Sequence, residues 1–212
     1  MVVNAAMVVY TLRGLIVIGF FPAVGAAVST YRRWYWAEDK RWGIVETWNS
    51  FSGFWREDMI GANASGYLLT LVWLVLIVDY RVLSVVQLGI VGPVVAGVLI
   101  VVSVFMLVFT AVFWPVRATF DEPWLWHMRC SATVVLGRPL CSVIIVAEAF
   151  VLLWAFLHYP AIVVTAGVAA MLFLATITTI PFAKLPRDGG DVEVLRSQTE
   201  VDVSEPSMLA SH

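Results

Sequence analysis

The chain has 212 residues, 61% of them hydrophobic and 13% charged, with a mean hydropathy of +0.89. Soluble domains carry about a quarter charged and about half apolar residues, so a water-soluble globule is excluded: it would expose apolar patches that aggregate. The net charge of −2 argues neither for nor against nucleic acid, but no basic block of the nucleic-acid kind occurs and no such partner is expected.

A spanning helix needs about 20 predominantly apolar residues. The first such segment, residues 1–31, is interrupted by Arg13 and stops on Arg32-Arg33, set among Tyr31, Trp34, Tyr35 and Trp36. Rings of this kind keep one edge in lipid and one in water, so they read as an interfacial belt. Within residues 42–55, Ile44, Trp48, Phe51 and Trp55 share one helix face, which predicts an amphipathic helix lying on the inner membrane surface. Residues 59–78 form an uncharged second span and residues 91–113 a third. "DEPWLWHMR", residues 121–129, resembles a second surface segment. Residues 139–182 are too long for one span and hold a single charge, Glu148. The residue before a proline avoids helical geometry, so Pro160 divides this run into spans 139–157 and 161–182. An all-α membrane bundle of about five spans over residues 1–183 follows. Residues 184–212, with six acids against three bases, read as a disordered cytoplasmic tail.

Basic residues in short loops stay in the cytoplasm. Arg32, Arg33, Lys40, Arg41 and Arg56, then Arg117, Arg129 and Arg138, then Lys184, Arg187 and Arg196 all fall on one side of a five-span chain. The N-terminus is therefore expected outside and the C-terminus in the cytoplasm. The two cysteines, Cys130 and Cys141, flank the cytoplasmic side, where thiols stay reduced and no disulfide is expected.

Ionisable residues inside a membrane are costly and so carry information. Arg13 lies 19 residues before Arg32, about 28 Å along a continuous helix at about 1.5 Å per residue, which puts it near the outer interface. Glu148 lies ten residues past Arg138, about 15 Å by the same rise, at mid-bilayer. It is read either as a neutral, hydrogen-bonded carboxyl holding helices together or as a proton or substrate site, with Arg13 a poor partner by depth. No catalytic constellation, phosphate-binding loop or cofactor site is found. His127-x-x-Cys130 lacks the second pair that a structural zinc wants, so no metal is expected. The small residues Gly61, Ala62, Ala64, Ser65 and Gly66 would let another helix approach closely, within the chain or between copies.

Asn4, then "GFFPAVGAAVSTYRRWYWAED" (Gly19 to Asp39), then "FSGFWREDMIGANASG" (Phe51 to Gly66) resemble the YesL family of bacterial integral membrane proteins, a domain of unknown function. The matching positions include Asn4, Pro22, Ala23, Arg33, Trp34, Phe54, Ala62 and Asn63. Family members carry a stretch before the early Asn, so the resemblance implies that Met1 is an internal start. It also implies a plasma-membrane protein encoded beside carbohydrate-uptake ABC transporters, and brings no catalytic residues. The leading expectation is a non-enzymatic accessory protein of carbohydrate uptake, partnered by the bilayer and by an ABC permease or by itself. The alternative is a small transporter or channel using Glu148.

Overall fold

The computed structural model of the chain describes residues 1–86, 91–159, 161, 165 and 167–186. Among these residues it is all helical: α1 (Val2–Arg13), α2 (Phe20–Trp36), α3 (Ile44–Glu57), α4 (Met59–Val85), α5 (Val91–Arg117), α6 (Trp124–Gly137), α7 (Pro139–His158) and α8 (Gly167–Ala183). Three of them, α4, α5 and α7, are long and apolar enough to cross a bilayer. In each, only 11% of the most apolar 18-residue stretch is buried inside the protein, so most of its apolar surface faces outward. A helix that is apolar all round and uncovered by protein belongs in lipid. The chain is a helical membrane bundle.

These three helices contain the expected spans 59–78, 91–113 and 139–157 and extend them. Pro139 starts α7 at the position where its missing N–H costs nothing. Of the expected span 161–182, α8 is described from Gly167 onward. Residues 160, 162–164 and 166 lie outside the described residues, as do residues 187–212, most of the expected tail.

The segment 1–31 is two helices rather than one. Between α1 and α2 the chain turns at Leu15 (φ 56°) and Ile16 (φ 62°), a left-handed conformation that β-branched residues seldom adopt. The turn is closed by glycines. A Cβ on Gly14 would come 2.2 Å from the Cα of Gly19, and one on Gly19 would come 2.7 Å from the Thr11 carbonyl oxygen. Helix α4 braces it: the Tyr67 hydroxyl donates to the Val17 carbonyl at 2.8 Å and the Asn63 amide to the Ile18 carbonyl at 2.9 Å. Irregular backbone at membrane depth survives only with such internal partners.

This break corrects the depth assigned to Arg13. The 28 Å figure assumes one continuous helix, whereas the turn after Arg13 lies beside Asn63 and Tyr67, five and nine residues into the bundle from Asp58. That is about 7–14 Å along α4 at about 1.5 Å per residue.

Helix α3 occupies the expected surface segment, but its apolar face is not laid on lipid. Phe51 is 0% and Trp55 7% exposed. With half-buried Trp48 they surround the ring of Tyr10 in α1, at centroid distances of 5.6 Å (Trp48), 5.4 Å (Phe51) and 5.2 Å (Trp55). Only Ile44 of the predicted face stays open, at 71% exposed. A face that is apolar can meet protein or lipid, and periodicity does not distinguish the two.

Helix α2 is the centre of the bundle, in contact with α1, α3, α4, α5 and α8. Its fully buried Ala23 and Ala27 let neighbours approach. On α4, two of the predicted small residues, Ala62 and Gly66, serve this same contact, while Gly61 lies against Arg117 and Ala64 is exposed. Gly66 lies beneath the ring of Phe21, where a Cβ would sit 2.1 Å from ring atoms, and a Cβ added to Gly25 would sit 3.8 Å from the Ala62 methyl. Phe113, Val112 and Val116 of α5 and Ile180 of α8 complete the core. At one end of the bundle, Arg117 pairs with Asp58, Arg138 donates to the Phe182 carbonyl, and Arg32 donates to the Pro186 carbonyl at 3.4 Å. Farther along the α4–α5 pair, the Tyr80 hydroxyl meets that of Ser103, midway along α5, at 3.3 Å.

Candidate functional site

Glu148 enters the bundle from the middle of α7, where aliphatic neighbours make a continuous helix but offer nothing polar. Its partner comes from α8: the Thr178 hydroxyl donates to Oε1 at 2.5 Å. Thr178 is buried and Glu148 half-buried. Thr178 is the one hydrogen-bond partner that Glu148 has among the described residues.

The carboxyl faces a cavity of about 290 Å³ walled by α2, α4, α5, α7 and α8. Phe20, Phe21, Trp73, Trp114, Leu152 and Met171 supply much of the wall, and Glu148 is its only ionisable side chain among the described residues. Three other polar groups there are already engaged. The Trp73 indole N–H donates to the Thr110 hydroxyl at 3.2 Å, which itself donates to the Met106 carbonyl at 2.7 Å. The Thr70 hydroxyl donates to the Gly66 carbonyl at 2.9 Å. An apolar cavity with one convergent polar group is the usual form of a small-molecule site.

The structure separates the two charges singled out in the sequence. Arg13 is exposed and lies over the ring of Tyr10, 5.9 Å from its centroid. No ion pair joins it to Glu148: among the described residues the one ion pair is Asp58–Arg117. Thr178, Trp73 and Thr110 were not identified from the sequence. The available signal was the run Thr176, Thr178 and Thr179 inside an otherwise apolar helix, but which of these faces Glu148 depends on how α7 meets α8.

His127 is buried and its Nε2 lies 2.8 Å from the Phe120 carbonyl oxygen, so the ring is engaged in closing the chain before α6. Burial pushes the Cys130 thiol up from its ordinary pKa. Among the described residues, no three His, Cys, Asp or Glu side chains gather as a metal site would require.

The positions shared with the resembled family turn out to be braces, and none of them lines the cavity. Asn4 donates to the Thr165 carbonyl at 3.2 Å, and Asn63 holds the turn before α2. Pro22, Ala23 and Ala62 are buried where α2 packs. Trp34 donates to the Lys40 carbonyl at 3.1 Å, and the Arg33 guanidinium lies 5.9 Å from the ring centroid of Trp42, so both tie down the α2–α3 connection. Phe54 is half-buried between α2 and the Asp58–Arg117 pair.

No curated protein and no solved structure matches the chain. Residues 1–80 match the model of the family described as "Protein of unknown function, DUF624", as a YesL-like membrane protein of that family would.

Proposed function

We propose that this chain is a non-enzymatic multi-pass membrane protein that admits a small, largely apolar molecule from the bilayer into the cavity at Glu148, as a small transporter or binding protein. The observation that carries the reading is the single carboxyl on the wall of an otherwise apolar cavity within the bundle. Such a group is costly in a membrane and is retained where a ligand or a proton is handled. Ala149 lines the same cavity beside Glu148, and Ala149→Phe would fill it. Small molecules extracted from the purified wild-type protein should include a species that the Ala149→Phe protein lacks. Identical extracts from the two proteins would overturn the reading.

The orientation belongs to the same proposal: bacterial plasma membrane, N-terminus outside and C-terminus in the cytoplasm. Two observations support it. Arg32, Arg117 and Arg138 gather at the end of the bundle where α8 finishes. Asn4 bonds the carbonyl of Thr165, ahead of α8 and away from that end.

A second reading, an accessory of a carbohydrate ABC permease, is favoured by one surface. Trp124 (53%), Leu125 (51%) and Trp126 (36%) stand exposed at the start of α6, as a docking patch or a membrane-interface belt would. Pull-down from native membranes with mass spectrometry should recover a permease if this reading holds, and the protein alone if it does not.

A further inference from the structure

The cavity reading leaves open what the ligand is, and the chemistry around Glu148 answers it. We infer that the cavity takes an organic monocation with an apolar, aromatic-sized body; this rests on the cavity reading above. An ionised carboxylate away from water needs a counter-charge or several donors. Among the described residues the fold supplies one neutral hydroxyl, from Thr178, and no cation pairs with the carboxyl. Arg138, the other charged residue of this part of the chain, donates to the Phe182 carbonyl, Arg13 lies over Tyr10, and Arg117 is paired with Asp58. A ligand that carries its own positive charge completes the site.

The rest of the wall agrees with that sign. The rings of Phe20, Phe21, Trp73 and Trp114 line the cavity, and aromatic faces attract cations. The Trp73 N–H, which could have offered an anion a donor, is engaged by Thr110. An anion would meet the like charge of the carboxylate, with the Trp73 and Thr110 donors already engaged. A dication would find one carboxyl where it needs two. A volume of about 290 Å³ lies at the small end of ligand sites, which suits a compact molecule.

The test uses two compact ions of similar shape and opposite charge, phenyltrimethylammonium and phenyltrifluoroborate. Equilibrium binding is measured to the full chain in nanodiscs of zwitterionic lipid, above the partition into empty discs. Wild type should bind the ammonium saturably and the borate far more weakly. Glu148→Gln, with nearly the same shape, should weaken ammonium binding about 30-fold or more, the scale seen when one partner of a desolvated charge pair is lost. Glu148→Asp should retain the preference for the cation. Equal affinity for the two ions in wild type, a comparison that needs no variant, would overturn the assignment. So would unchanged ammonium binding in Glu148→Gln. If the borate binds and Ala149→Phe removes it, the cavity stands and the cation falls. If neither ion binds saturably, both fall.

Discussion

Replacing Glu148 with Gln keeps the acceptor that Thr178 uses, whereas replacing it with Ala leaves a buried hydroxyl unpaired. Glu148→Gln should therefore accumulate and unfold like wild type, while Glu148→Ala should lose about 1–3 kcal/mol, read from thermal unfolding in detergent. If Gln destabilises as much as Ala, the carboxyl group itself is needed for folding and its contact with Thr178 does not account for its place in the bundle. Asn63 makes a parallel case. Its amide donates both to the Ile18 carbonyl and to the Met59 carbonyl of its own helix, so Asn63→Leu keeps the volume and removes the brace. Loss of that partner should cost about 1–3 kcal/mol and speed amide exchange across residues 14–20, with the rest of α4 unchanged. Glu148 was legible in the sequence because a charge in an apolar run is conspicuous. Its partner was not, because Thr178 lies 30 residues away on another helix and three threonines compete for the role.

The helix break and the covered face of α3 belong to the scale of elements. The Gly14–Gly19 turn has backbone on both sides, and carbonyl oxygens cannot move aside as a flexible side chain can. Gly19→Ala should thus sharply reduce folded yield, whereas Gly97→Ala, at a position with nothing within 4 Å of the added methyl, should be tolerated. Similar yields for the two would mean that the turn can open. On α3, Phe51→Ala removes a fully buried ring from the Tyr10 cluster and should cost about 3–5 kcal/mol. Ile44→Ser on the same nominal face should stay within about 0.5 kcal/mol, because that residue is exposed. Equal effects in both variants would restore the surface-helix reading. The helix itself was legible from its period. What covers it was not, since Tyr10 lies in a segment that the sequence presents as part of a straight span.

For the whole molecule, the prediction concerns sidedness. A reporter active only in the cytoplasm should work when fused after His212 or within the Lys40 loop, and fail when fused near Arg81. Equal activity at Arg81 and His212 would break the five-span arrangement. The structural counterpart is a contrast along the bundle. One end is tied by Arg32, Arg117 and Arg138. Away from it, in the α4–α5 pair, the tie is the neutral contact of Tyr80 with Ser103.

Composition pointed this chain into lipid, because no other solvent accepts so much apolar surface, and apolar runs of about 20 residues made its spans helices, because a membrane strand needs only about half that length. Local patterns also located α4, α5 and α7, whose length and charge-free runs are properties of neighbouring residues. Only the tertiary structure decided that residues 14–19 break the first span, since the turn's open carbonyls are met by Asn63 and Tyr67 from far along the chain. It alone also decided that α3 faces Tyr10, that Ala62 and Gly66 of α4 serve α2, and that Glu148 opens on a cavity built by five helices. The physical reason is common to all four: an apolar residue bears no mark of whether it will meet lipid, a neighbouring helix or an empty space, and only the packing of the whole chain assigns it one.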